Sequence, residues 1–177
     1  DVTRLKVRGH DLLAGSTVDD TLLYVPLATP VPPSGSIEVE LEWTTQLPGV
    51  FARSGWLGEF HAVTQWFPKI GVWDCDGGCR WRARQYHGST EFFADFGNYS
   101  VEIDTAPGQI VGATGVQVAE RMENGRHIER FEAEDVHDFA FFVDPRFLEV
   151  KDWIDGAIGE PPVAVRLLTR AGQEGHT

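Results

Sequence analysis

The stretch Ile37-Glu38-Val39-Glu40-Leu41-Glu42-Trp43-Thr44 decides the fold class, because apolar and polar residues alternate along it without a break. Successive side chains of a β-strand point to opposite faces, so Ile37, Val39, Leu41 and Trp43 share one face and the three glutamates and Thr44 share the other. One apolar and one charged face is the pattern of a half-buried antiparallel strand. Working outward, residues 2–8 alternate in the same way, residues 9–20 are rich in turn formers, and residues 21–27 resume a β-type run. The loop 30–36, PVPPSGS, cannot enter a sheet interior because proline has no N–H to give to a ladder.

Further strands are expected at residues 81–86, 99–104, 110–115, 116–121, 126–132, 147–153 and 163–169. Asn124-Gly125 between two alternating runs predicts a tight hairpin, since both residues tolerate positive φ. Residues 139–143 are apolar throughout and read as a strand covered on both faces, whereas 88–97 read as an irregular connection. Together these signals predict an all-β protein: an antiparallel β-sandwich or saddle-like open sheet of about ten to twelve short strands. No linker or low-complexity segment divides residues 1–177, so a single β domain is expected. Aromatic residues make up 11% of the chain against a single Met, in keeping with that class.

A formal net charge of −12 argues against nucleic acid as a partner, since phosphate neutralisation needs a concentrated basic face. No apolar run reaches the length of a membrane span or of a signal-peptide core. The first residue is Asp rather than Met, so a chain truncated at its ends is expected and its compartment stays open.

Chemistry-bearing motifs are sparse. The six histidines stand at positions 10, 61, 87, 127, 137 and 176, and none belongs to a His-Glu-x-x-His pair. A complete hydrolytic zinc site is therefore not expected within these residues. Cys75 and Cys79 close the turn-prone loop CDGGC, where a disulfide and two free thiols both fit, while a zinc knuckle lacks ligands. His137-Asp138 supplies two members of a catalytic triad without a Gly-x-Ser-x-Gly elbow, which favours a structural histidine. Glu91 with Asp95 and Glu132 with Glu134 are carboxylate pairs of the kind glycosidases use, but 27 acidic residues align some pairs by chance. Arg121-Met122-Glu123-Asn124 ends in the expected hairpin tip and reads as a fortuitous likeness to an amine-reading strand of zinc aminopeptidases.

The most distinctive segment is residues 61–74, HAVTQWFPKIGVWD, with two Trp, a Phe, a Pro and one amide side chain. Pro68 fixes a backbone dihedral and pushes Phe67 towards extended geometry, while Trp66 and Trp73 are expected to anchor the bend in the core. Such a rigid bend can present Gln65 without a large ordering cost.

Several phrases in one order carry a family resemblance. They are Leu47-Pro48, Gln65-Trp66-Phe67-Pro68-Lys69-Ile70, Glu91-Phe92-Phe93 with Phe96-Gly97-Asn98-Tyr99, Val111-Gly112-Ala113-Thr114-Gly115, and Ala133-Glu134-Asp135-Val136-His137-Asp138-Phe139-Ala140 followed by Asp144-Pro145-Arg146-Phe147. On these phrases the chain resembles the N-terminal β domain of the aminopeptidase N family of gluzincin zinc metallopeptidases, a bacterial branch in particular. The resemblance spans residues 37–147. It implies a non-catalytic domain that walls the active-site cleft, partnered by a zinc-binding catalytic domain of the same parent protein and by a peptide substrate. It implies no cofactor in this chain, the zinc lying in the absent catalytic domain. The family's amine-reading segment has the form Thr-Gln-Cys-Glu or Ser-Gln-Cys-Gln; Thr64-Gln65 matches its first two positions, and Phe67 replaces the terminal Glu or Gln. Gln65 is thus the implied substrate-binding residue. Without the resemblance, a free-standing carbohydrate- or protein-binding sandwich using exposed Trp residues is the alternative.

Overall fold

The computed structural model describes residues 1–49, 53–89, 93–159 and 161–172. Among the described residues strands account for 51%, several antiparallel sheets form, and none closes into a barrel. The protein is all-β. Its chain falls into two compact units, residues 1–46 with 66–95 and residues 47–65 with 96–177, so the distinctive segment 61–74 is divided between them at Gln65.

In the first unit, β1 (Val2–Val7) lies between β2 (His10–Asp11) and β5 (Val39–Trp43). Leu5 pairs with Leu41 and Val7 with Val39, and both β1 residues are buried. Of the apolar face read in residues 37–44, Leu41 and Trp43 are half-buried while Val39 stays 42% exposed, and the ladder itself begins only at Val39. A 3₁₀ turn at Leu13–Gly15 precedes the hairpin of β3 (Thr17–Asp19) and β4 (Leu22–Tyr24). Thr21 between them gives both its N–H and its hydroxyl to Gln85 Oε1, at 2.9 and 2.6 Å.

The second unit carries the larger core. β6 (Gly55–Leu57), β7 (Phe60–Val63), β11 (Val111–Ala113) and β14 (Phe141–Val143) form a sheet in the order β11-β14-β7-β6. A second sheet orders β10 (Gly97–Thr105), β13 (Arg126–Val136) and β12 (Val116–Glu123), and β15 (Phe147–Ile154) pairs with β16 (Val163–Arg170). Asn124 and Gly125 adopt φ of 51° and 74° between β12 and β13, the doubly positive turn that an Asn-Gly pair favours. Phe131 and Ala133 of β13 pack inward with Ile103, Val111 and Phe139 also buried. Gly115 holds φ at 86°, and a Cβ there would stand 2.2 Å from the Glu132 carbonyl oxygen, so only glycine fits this entry into β12.

Three expectations shift. Sixteen strands form among the described residues, against about ten to twelve expected, because pieces of two or three residues pair where only turns were read. Residues 139–143 give a strand only from Phe141, and Phe142 is 41% exposed, because its side chain lies opposite Phe141 and Val143 and stacks on Phe60. Trp73 does not anchor a core. It lies in β8 (Val72–Asp74), paired with β9 (Arg80–Arg82), and meets Trp81 edge-to-face with both indoles more than half exposed, because this two-stranded hairpin has no further strand beside it. Trp66 is half-buried, its ring 5.9 Å from Trp43 and its carbonyl accepting from Trp43 Nε1. The loop that β8 and β9 flank is closed by a Cys75–Cys79 disulfide.

Candidate functional site

The end of β7 is built for precision. Ser54 Oγ accepts from the Thr64 N–H at 3.3 Å, and its own proton lies between the carbonyls of Ala62 and Thr64 at 3.1 and 3.2 Å. Thr64 Oγ1 donates to the Arg53 carbonyl at 3.4 Å. The strand end is therefore pinned just before Gln65, which turns into the left-handed region with φ of 53°. Positive φ is uncommon for a residue with a Cβ and persists where the surroundings over-determine it.

Gln65 is exposed, and its Nε2 donates to Asp138 Oδ2. Asp138 Oδ1 in turn accepts from the Phe139 N–H at 2.8 Å, and the Phe139 side chain is fully buried. The buried phenyl fixes the carboxylate, the carboxylate fixes the amide nitrogen, and the amide oxygen of Gln65 is left without a hydrogen-bond partner among the described residues. An amide oxygen accepts two hydrogen bonds, so this end of β7 offers a positioned acceptor beside a carboxylate. Tyr99 closes one flank: its hydroxyl lies 3.5 Å from the His137 carbonyl, and burial, followed by the charge of Asp138, raises its pKa above the ordinary phenolic value. The His137 ring lies against Phe96, tilted by 40° with centroids 3.8 Å apart. The arrangement can hold an N–H-bearing group; it contains no nucleophile positioned beside a base.

Asp138 was legible only as a partner for His137, yet its carboxylate engages Gln65 and the backbone instead. Its placement beside Gln65 has no signal in spacing, because 73 residues separate the two. Glu132 and Glu134 lie on the exposed face of β13, where Glu132 pairs with Arg130 at 2.6 Å. Glu91 and His176 lie outside the described residues, and Asp95 is exposed. Two buried acids escaped the sequence. Glu129 is 3% exposed, accepts from Gln117 Nε2 at 2.8 Å and has its pKa raised by burial. Asp144 is completely buried, but Arg146 and Arg170 grip it so closely that its pKa falls to about 2 although burial opposes ionisation.

Among the described residues no group of three or more His, Cys, Asp or Glu side chains converges to hold a metal ion, so they offer zinc no ligand set. No helix among them is long and apolar enough to cross a membrane. No family model, curated protein or solved structure matches the chain. The aminopeptidase resemblance accordingly rests on its ordered sequence phrases.

Proposed function

We propose that this chain is the non-catalytic N-terminal β domain of a zinc-dependent, aminopeptidase-like metallopeptidase, walling the cleft and helping to position the peptide N-terminus through Gln65. The observation that carries this reading is the uncovered outer face of the β15–β16 hairpin. Cross-strand register puts Leu148, Val150, Ile154, Val163, Val165 and Leu167 on one face, together with Asp152 and Thr169. Phe147, Leu168 and Arg170 lie on the other, where they meet Phe60, Gly112 and Asp144 of the same unit. Five of the six outer aliphatic side chains are exposed, between 38% and 60%. A mainly aliphatic face with one carboxylate, Asp152, suits docking against another domain. Gln65 supports the substrate part: its amide oxygen, without a hydrogen-bond partner among the described residues, and the neighbouring Asp138 carboxylate suit an ammonium group at a peptide end.

The free-standing binding module has one observation in its favour, the exposed Trp73–Trp81 pair. The two rings meet at 68°, centroids 5.0 Å apart, so they satisfy each other edge-to-face rather than forming the coplanar platform on which a sugar chain stacks. The docking reading is preferred on that ground.

The test is Gln65→Ala in the full-length parent enzyme. KM for short peptides with a free amino terminus should rise several-fold while hydrolysis stays zinc-dependent. An unchanged KM removes Gln65 from the substrate site, and a parent that hydrolyses no aminoacyl substrate with zinc present overturns the peptidase assignment itself.

A further inference from the structure

The β8–β9 hairpin of the first unit has a pinned base. Its ladder pairs Val72 with Arg82, Trp73 with Trp81 and Asp74 with Arg80, and among the described residues no other strand lies beside it. At the base Val72 is buried, and Gly71 comes so near the opposite strand that a Cβ on it would stand 3.3 Å from the Ala83 Cβ. Just beyond β9, Gln85 Oε1 accepts from the N–H and the hydroxyl of Thr21, and Gln85 Nε2 donates to the Asp19 carbonyl at 2.8 Å. The Tyr86 N–H donates to Thr21 Oγ1 at 2.9 Å. The chain leaving the hairpin is thereby tied to the turn between β3 and β4.

The tip has weaker non-covalent support. Gly77 and Gly78 take φ of 72° and 116° there, and the backbone bond from the Gly78 N–H to the Cys75 carbonyl is long at 3.5 Å. Asp74 accepts from the Asp76 N–H and from Arg82 Nε, each at 2.8 Å, but the ion pair is partly open to water and so of modest strength. Trp73 and Trp81 meet edge-to-face with more than half of each indole in solvent. A lone two-stranded hairpin is marginal at best in water. The Cys75–Cys79 disulfide closes the ladder one residue beyond Asp74 and Arg80. By restricting the open chain, a cross-link over so short a loop favours the closed form about thirtyfold. Both cysteines are exposed, so a soluble thiol can reach the sulfurs.

We propose that the β8–β9 hairpin is a thiol–disulfide switch: reduction of Cys75–Cys79 by a dithiol opens the tip and separates Trp73 from Trp81 while the base stays in place. A thiolate of the dithiol attacks one sulfur and displaces the other as a thiolate, forming a mixed disulfide. The second thiol of the reductant resolves it. The reductant leaves as a cyclic disulfide, its two electrons and two thiol protons having passed to Cys75 and Cys79. Opening takes from each indole the neighbour that shields it, and so uncovers aromatic surface. The inference does not rest on the peptidase reading, since the hairpin belongs to the first unit and Gln65 to the second.

The test adds dithiothreitol to the native chain and reads the exciton couplet that two close indoles give in far-ultraviolet circular dichroism, with backbone amide NMR alongside. Trp43 and Trp66 form a second close pair, so Trp81→Phe is used to assign the Trp73–Trp81 share of the signal. Reduction should remove at least half of that share, and oxidised glutathione should restore it. The double variant Cys75→Ser, Cys79→Ser should show the reduced couplet with or without dithiothreitol. Amide signals of Ile103 and Phe131, buried in the second unit, should stay in place throughout. A native disulfide that dithiothreitol fails to reduce, or a reduced chain or double-serine variant that keeps the parent's couplet, would overturn the proposal. So would a loss of the couplet that comes only with unfolding at Ile103 and Phe131.

Discussion

Hairpins β12–β13 and β15–β16 run ladders of similar length in the same unit, yet their outer faces are opposites. On the outer face around β13, charges answer one another: Arg121 forks onto Glu102 at 2.8 and 3.1 Å, Arg126 meets Asp104, and Arg130 meets Glu132. On β15–β16 the ion pairing of Glu149 with Arg166 and Lys151 belongs to the face that carries Phe147 and Leu168, and the outer face is mainly aliphatic, with Asp152 its one charged residue. Water suits the first arrangement and not the second. Two hairpins with the same alternation thus differ in the side chains they present to water, and the proposed docking partner would cover the second.

The sharpest way to break this comparison is through the inner faces. Phe131→Ala on β13 removes a side chain that is 1% exposed and should cost about 3–5 kcal/mol in denaturant unfolding. A loss below about 1 kcal/mol would mean that β13 packs no core.

Next in size is the anchor of β15–β16, the Asp144 carboxylate gripped by Arg146 and Arg170. Its pKa is depressed from 3.8 to about 2 in the folded protein, so its contribution is whole above the unfolded value and is lost as pH falls through the folded one. Stability should drop by about 2 kcal/mol between roughly pH 5 and pH 1 on this account. Asp144→Asn should flatten that part of the pH profile; a profile identical to the parent's would dissociate Asp144 from acid unfolding.

The smallest effects compare the outer faces directly. Arg121→Gln should cost under about 1 kcal/mol, because exposed ion pairs are screened and entropically expensive. Leu167→Lys on β16 should leave the stability of this chain within about 0.5 kcal/mol. The same lysine should weaken association of this chain with a separately expressed catalytic domain at least tenfold. Should Leu167→Lys unfold the chain instead, the aliphatic face is buried within it and the docking surface disappears.

Much of the fold was legible because local patterns encode it. The Asn124-Gly125 turn, the strand at 99–104 and the two strands at 147–153 and 163–169 all form where alternation and turn chemistry put them. Gln65 was legible as an amide at a rigid bend. Its left-handed φ and its tie to Asp138 were not, since both arise from a strand end pinned by Ser54 and from a residue far along the chain. The burial of Trp73 was misjudged for a related reason: a large aromatic side chain is buried only if a further layer of structure covers its hairpin.

By itself the sequence determined the all-β class, the principal turns and the acidic balance of charge, and it put Cys75 and Cys79 in one short loop whose disulfide only the structure shows. Periodicity and turn propensity act over a few residues, so a single chain displays them openly. Tertiary structure alone decided which face of β15–β16 stays bare, which acids are buried, and that the β8–β9 hairpin has no further strand beside it among the described residues. Those outcomes depend on strand register and on contacts between residues distant in sequence, which no local pattern specifies.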